Sequence, residues 1–88
     1  MRGKAILKVP GGKLLKADVR HENGRILKAK VTGDFFMHPE SRMDELDEQL
    51  RGIKAGDVRK VVKKALEGAE LYGVDAESIV KVICEAVK

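Results

Sequence analysis

Tryptophan is missing from these 88 residues, and aromatic side chains amount to two phenylalanines and one tyrosine. The core therefore has to be built from aliphatic side chains. Cysteine occurs once, at Cys84, which excludes an internal disulfide and offers no metal-ligand pair. No uncharged apolar run approaches the ~20 residues of a membrane-spanning helix. The stretch Ala5-Ile6-Leu7 is also too short for the apolar segment of a secretory signal. Internal repeats, low-complexity tracts and linkers are missing too. These absences describe one small domain over residues 1–88, cytoplasmic and without membrane contact.

What is present is a folded composition, with 43% hydrophobic and 36% charged residues. The net charge of +4 is unevenly spread: residues 1–33 carry nine Lys/Arg against two Asp/Glu, whereas residues 34–88 carry nine against twelve. A basic first third joined to a mildly acidic remainder suits an anionic ligand or an acidic partner. Exposed lysines also discourage edge-to-edge association of strands.

The first third reads as a three-stranded antiparallel meander. Apolar residues fall at odd positions in Leu15-Lys16-Ala17-Asp18-Val19 and again in Leu27-Lys28-Ala29-Lys30-Val31. A loop at Pro10-Gly11-Gly12 pairs Val9 with Lys13, Leu7 with Leu15 and Ala5 with Ala17. For the second hairpin, a two-residue Asn23-Gly24 turn would pair Val19 with Lys28 on the same face, which the apolar pattern rejects. A three-residue loop, Glu22-Asn23-Gly24, instead pairs Val19 with Leu27, Ala17 with Ala29 and Leu15 with Val31, with Gly24 in the left-handed position. That register sets Asp18 opposite Lys28 and Lys13 opposite Gly33. One face is then Ala5, Leu7, Val9, Leu15, Ala17, Val19, Leu27, Ala29 and Val31. The other is mainly Lys4, Lys8, Lys16, Arg20, Lys28 and Lys30, so the first must be covered by helices.

The change from strand spacing to helical spacing falls on the segment Val31 to Glu40. Gly33 and Asp34 are turn formers. Phe35 and Phe36 are adjacent, so in an extended stretch they point to opposite sides. Two readings stand, that both are buried in a small core or that one faces outward as an interface anchor. Three helices follow. Ser41 is the expected cap of the first, whose apolar stripe is Met43, Leu46 and Leu50, with Gly52 at its end. Asp57 caps the second, with Val58, Val61, Val62, Ala65 and Leu66 on one side and an end between Gly68 and Gly73. Asp75 caps the third, with Ile79, Val82, Ile83 and Ala86. Lys60, Lys63, Lys64 and Lys81 are expected to be solvated.

No catalytic or metal-binding constellation emerges. Gly11-Gly12-Lys13 lacks the glycine spacing, the Ser/Thr and the following helix of a phosphate loop. Two adjacent glycines beside a lysine can nevertheless offer backbone N–H groups to an anion. Nothing orients His38 toward Cys84 as a nucleophile pair. His21, next to a hairpin loop, is expected to be exposed. The acids Asp44, Glu45, Asp47 and Glu48 suit the positive end of the first helix without a metal. The basic sheet admits a small nucleic-acid-binding module as an alternative. Its strands, however, lack the aromatic platforms of single-strand RNA readers.

The order of short motifs carries further information. Lys8-Val9-Pro10-Gly11-Gly12-Lys13-Leu14, Asn23-Gly24-Arg25-Ile26, Thr32-Gly33-Asp34-Phe35-Phe36, Pro39-Glu40 and Leu50-Arg51-Gly52 follow one another along nearly the whole chain. In that order they resemble the carboxy-terminal accessory domain of lipoate–protein ligases, in particular the stand-alone archaeal form made separately from the catalytic chain. The resemblance implies an α+β fold, a three-stranded antiparallel meander followed by three helices packed on one face, likened to iron–sulfur scaffold and sulfur-acceptor proteins. The single Cys84 argues against sulfur chemistry here. It also implies a non-catalytic small subunit, needed when lipoate is activated with ATP to lipoyl-AMP for transfer to a lysine of lipoyl-domain proteins. Its partner would be the catalytic chain, which holds lipoate and ATP with magnesium; this chain alone would bind no cofactor and contribute no catalytic residue. The residues expected to meet the catalytic chain or the adenylate are Gly11, Gly12, Lys13, Gly33, Asp34, Phe35 and Phe36.

Overall fold

The computed structural model describes residues 1–9, 11 and 13–87. Strands β1 (Arg2–Lys8), β2 (Leu14–Glu22) and β3 (Arg25–Gly33) form an antiparallel sheet in the order β1-β2-β3. A short strand, β4 (Phe36–His38), leads through a cis His38–Pro39 peptide into α1 (Ser41–Gln49). A 3-10 turn (Ala55–Asp57) precedes α2 (Val58–Ala65), then come β5 (Glu70–Tyr72) and α3 (Ala76–Val87). The expected α+β class and the three-stranded meander are therefore observed. Added to them is a second sheet, in which β4 pairs with β5.

Helices α1 and α3 cover the inner face of the meander. Helix α3 covers β1 and β2, α1 packs on β3, and α2 packs against both of its neighbours. The alternation of β2 buries Leu15, Ala17 and Val19, while the stripe of α3 buries Ile79, Val82, Ile83 and Ala86 against them. At roughly 25 cal/mol per Å² of apolar surface removed from water, this aliphatic contact is the main stabilising term. Arg42 ties α1 to the end of α2 by donating to the carbonyls of Ala65 (3.1 Å) and Glu67 (3.0 Å).

The first hairpin has the expected register, with Leu7 opposite Leu15, Ala5 opposite Ala17 and the Val9 N–H donating to the Lys13 carbonyl at 2.9 Å. Pro10 and Gly12 of its expected loop lie outside the described residues. The second hairpin differs from expectation. Its turn is two residues, Asn23 and Gly24, both at positive φ (51° and 76°). Glu22 then faces Arg25 and His21 faces Ile26, but Arg20 faces Lys28, so a bulge absorbs Leu27. Asn-Gly favours this turn because both positions accept a left-handed backbone. The bulge restores the parity that an unbroken ladder would have lost. Val19 consequently faces Ala29, Leu15 faces Gly33, and Asp18 faces Lys30 rather than Lys28. The core residue at this end is Ile26, fully buried, while Leu27 is 48% exposed.

Three further expectations are corrected. Ser41 is the first residue of α1, Glu40 holds the cap position, and no side chain caps the helix. Preceding carbonyls serve instead, Pro39 for the Arg42 N–H and Glu40 for the Met43 N–H, both at 3.1 Å. Asp57 stands at the start of α2 but makes no side-chain cap bond. His21 is buried, because it shares the odd parity of Leu15, Ala17 and Val19 and so falls on the inner face. By contrast Asp75 caps α3 as expected, accepting from the Ser78 N–H at 2.7 Å. Helix α2 ends at Ala65, sooner than its spacing suggested, and Glu70–Tyr72 form β5.

Candidate functional site

The convergence expected at one end of the sheet is present, reached through a different register. Gly33 faces Leu15, and the Asp34 N–H donates to the Leu14 carbonyl at 3.0 Å, which brings the turn after β3 beside Lys13. Lys13, Gly33, Asp34, Phe35 and Phe36 line one shallow hollow together with Tyr72 and Gly73. Gly33 has no room for a side chain, since a Cβ there would fall 2.4 Å from the Leu14 carbonyl oxygen. Gly11, at φ 99°, belongs to the neighbouring turn and has open space around it; Gly12 is outside the described residues.

Tyr72 and Gly73 are not among the site residues that the sequence suggests, where Gly73 stands only as a helix stop. The β4–β5 pairing brings them here, setting Phe36 directly opposite Tyr72. A Cβ on Gly73 would lie 3.5 Å from both the Asp34 carbonyl oxygen and Lys13 Cγ, so the lysine stem rests over this glycine. A glycine between Tyr72 and Val74 was the available signal, but nothing local joins it to residue 13. Of the two readings for the phenylalanines, the divided one is observed: Phe35 packs against the core and Phe36 is 69% exposed. Tyr72 is 58% exposed, and its hydroxyl donates to the Glu70 carboxylate, which raises the phenol above its ordinary range. Its polar end is thus satisfied within the chain, while its ring stays uncovered beside that of Phe36.

Two surfaces adjoin this end. A groove between β3 and α1 is bordered by Lys30, Thr32, Phe36, Met43 and Asp47. Asp47 is half-buried there, with one carboxylate oxygen lacking a hydrogen-bond partner. Burial raises its carboxyl above the usual range, against the opposing pull of the Val31 N–H and of Lys30. The other is the outer face of the sheet, where Arg2 joins the six expected cations Lys4, Lys8, Lys16, Arg20, Lys28 and Lys30. Two acids stand on it, Glu22 at the hairpin end and Asp18 amid the cations, the latter held by a two-pronged bond from Arg2 (2.6 and 3.0 Å) that keeps its carboxyl below the ordinary range.

The arrangement offers surfaces for binding. Among the described residues, no group of three or more His, Cys, Asp or Glu is placed to hold a metal ion. His38 faces Glu70 in the small sheet, whereas Cys84 is exposed on α3. One lysine beside an open hollow supplies a single point charge, too little to hold a triphosphate unaided. No helix of the described residues is long and apolar enough to cross a membrane.

The class defined by this fold and this site is a small α+β binding domain with an exposed aromatic pair and a cationic sheet. No family model matches the chain. Among curated proteins it is similar to lipoate-protein ligase A subunit 2 of Thermoplasma acidophilum, 25% identical over 71 residues, spanning 80% of this chain and 76% of the relative. Among solved structures it matches a chain from an archaeal lipoylation system, a bi-partite lipoate protein ligase and its E2 lipoyl domain from Thermoplasma acidophilum. The TM-score is 0.87 at 24% identity, over 94% of each chain. The chain thus resembles the small subunit of an archaeal two-chain ligase, as its motif order indicated.

Proposed function

We propose that this protein is the non-catalytic small subunit of a two-component lipoate–protein ligase. The observation that supports this reading most is the likeness of fold along 94% of both chains, joined to the sequence likeness to a ligase subunit. The catalytic chain would hold lipoate and ATP with magnesium and, once assembled with this subunit, form lipoyl-AMP. Lipoyl-domain proteins would then receive the lipoyl group, and the whole process would run in the cytoplasm. This chain's part is to complete the site: its Lys13 end packs near the adenylate, orders the surrounding loops and excludes water. In that drier site, fixed dipoles and charges act more strongly on the reacting phosphates. Gly11 permits close backbone approach, Gly33 lets the turn after β3 close on Leu14, Lys13 adds positive charge, and Phe36 adds apolar contact.

The test is reconstitution with the purified catalytic chain. Lipoate-dependent exchange of pyrophosphate into ATP is expected only when both chains are present, and calorimetry is expected to show no ATP binding by this chain alone. Lys13→Ala is expected to slow adenylation by about tenfold, the effect of one lost charge contact, and to affect transfer from preformed lipoyl-AMP less. A catalytic chain that adenylates at full rate alone, or tight ATP binding by the isolated small chain, would refute the reading.

A further inference from the structure

The outer face of the meander carries seven cations and two carboxylates, Asp18 and Glu22, a net of +5. Since the whole chain is +4, everything else together is −1. All three helices lie on the other side of the sheet, and no segment of the described chain covers this face. Asp18 does little to neutralise it, being bound by Arg2 and flanked in register by Lys4 and Lys30.

The face is continuous with the aromatic end. The hollow on the outer sheet is lined by Lys30 and Thr32, which also border the β3–α1 groove. That groove shares Phe36 with the hollow that holds Tyr72 and Lys13. One unbroken surface therefore runs from the cations to two exposed rings. Rings on a rigid two-stranded ladder carry large apolar area and little rotamer entropy, the character of residues that dominate binding energy. A broad patch of one charge acts mainly on encounter, raising the association rate in a salt-dependent way.

Resting on the subunit reading above, we propose that the catalytic chain binds this whole surface, with Phe36 and Tyr72 setting the lifetime of the complex and the cationic sheet face setting how fast it forms. The partner accordingly presents an apolar recess beside an acidic patch. A protein partner suits the face better than a nucleic acid. Ile6 (67% exposed), Leu14 (40%) and Leu27 (48%) stand among the cations, giving apolar contacts that a phosphate backbone would not use, and no ring on the face offers a stacking platform.

The experiment measures association and dissociation rates with the purified catalytic chain at 20 and 200 mM salt. The Phe36→Ala/Tyr72→Ala variant is expected to dissociate at least about tenfold faster, with an association rate within about threefold of the unmodified chain. Lys4→Glu/Lys16→Glu/Lys30→Glu is expected to associate at least about tenfold more slowly at low salt, losing most of the salt dependence. All five side chains are exposed, so native melting temperatures are the control, and Tyr72→Phe is expected to behave as the unmodified chain. A complex whose rates are unchanged in both variants would overturn the assignment of this surface while leaving the subunit reading intact. Unchanged association by the lysine variant, with loss of binding to an RNA oligonucleotide, would assign the face to nucleic acid and overturn it as well. No complex with the unmodified chain would remove the subunit reading and this surface together.

Discussion

Gly3 in β1 and Ala86 in the last turn of α3 meet backbone to backbone: a Cβ on residue 3 would fall 1.6 Å from the Ala86 carbonyl oxygen and 3.4 Å from His21 Nε2. The opposing atom belongs to a helix whose neighbouring Val82 and Ile83 are fully buried, so it cannot swing aside as a long side chain would. The β1 end is further held by reciprocal bonds between Met1 and His21, both 2.9 Å.

Gly3→Ala is therefore expected to cost more than about 2 kcal/mol, as overpacking against rigid backbone does. Urea unfolding measures it. A midpoint equal to that of the unmodified chain would mean that the end of α3 can lift away without loss.

The second hairpin gives a sharper contrast. With Asn23 and Gly24 both at positive φ, Gly24→Ala is expected to destabilise by about 1 kcal/mol or more, and Asn23→Gly to be nearly neutral. Ile26→Ala is expected to cost about 2–5 kcal/mol because Ile26 is fully buried. Leu27→Thr, at the exposed bulge position, is expected to cost less than about 1 kcal/mol. Equal losses at 26 and 27 would contradict the bulge.

Two aspartates are expected to respond to acid in opposite directions. The Ser78 N–H lowers the Asp75 carboxyl below its ordinary value. Its contribution is present above the unfolded pKa of about 4 and is lost as pH falls through the depressed native value. Asp75→Ala is thus expected to cost about 1 kcal/mol at pH 7, as loss of a helix cap does, and progressively less below pH ~4. Asp47 is raised by burial, so the charged form is penalised in the native state at neutral pH and the penalty fades as pH falls through the raised value. Asp47→Asn is expected to be at least as stable as the unmodified chain at pH 7, with its advantage shrinking in acid. Guanidinium titrations across pH 3–7 measure both, and a parallel response of the two variants would contradict the environments described.

By itself the sequence determined the elements and their burial wherever periodicity was unbroken. The odd-numbered apolar residues of β2 specified its inner face, and the stripe Ile79, Val82, Ile83, Ala86 specified that of α3, because burial follows side-chain direction along a regular element. The same rule extended one step would have buried His21. The order of short glycine-centred motifs pointed to the ligase small subunit even though no catalytic group announced a function.

Tertiary structure decided the rest. The bulge at Leu27 shifted the register, because a favourable Asn-Gly turn and burial of Ile26 together outweighed an unbroken ladder, and that balance involves residues on two strands at once. The β4–β5 pairing was invisible locally. Three-residue strands have too few positions to show alternation, and only the chain's path around α1 and α2 brings Tyr72 against Phe36 and Gly73 beneath Lys13. The candidate surface is built from residues far apart in sequence, so local spacing could name several of its members but not assemble them.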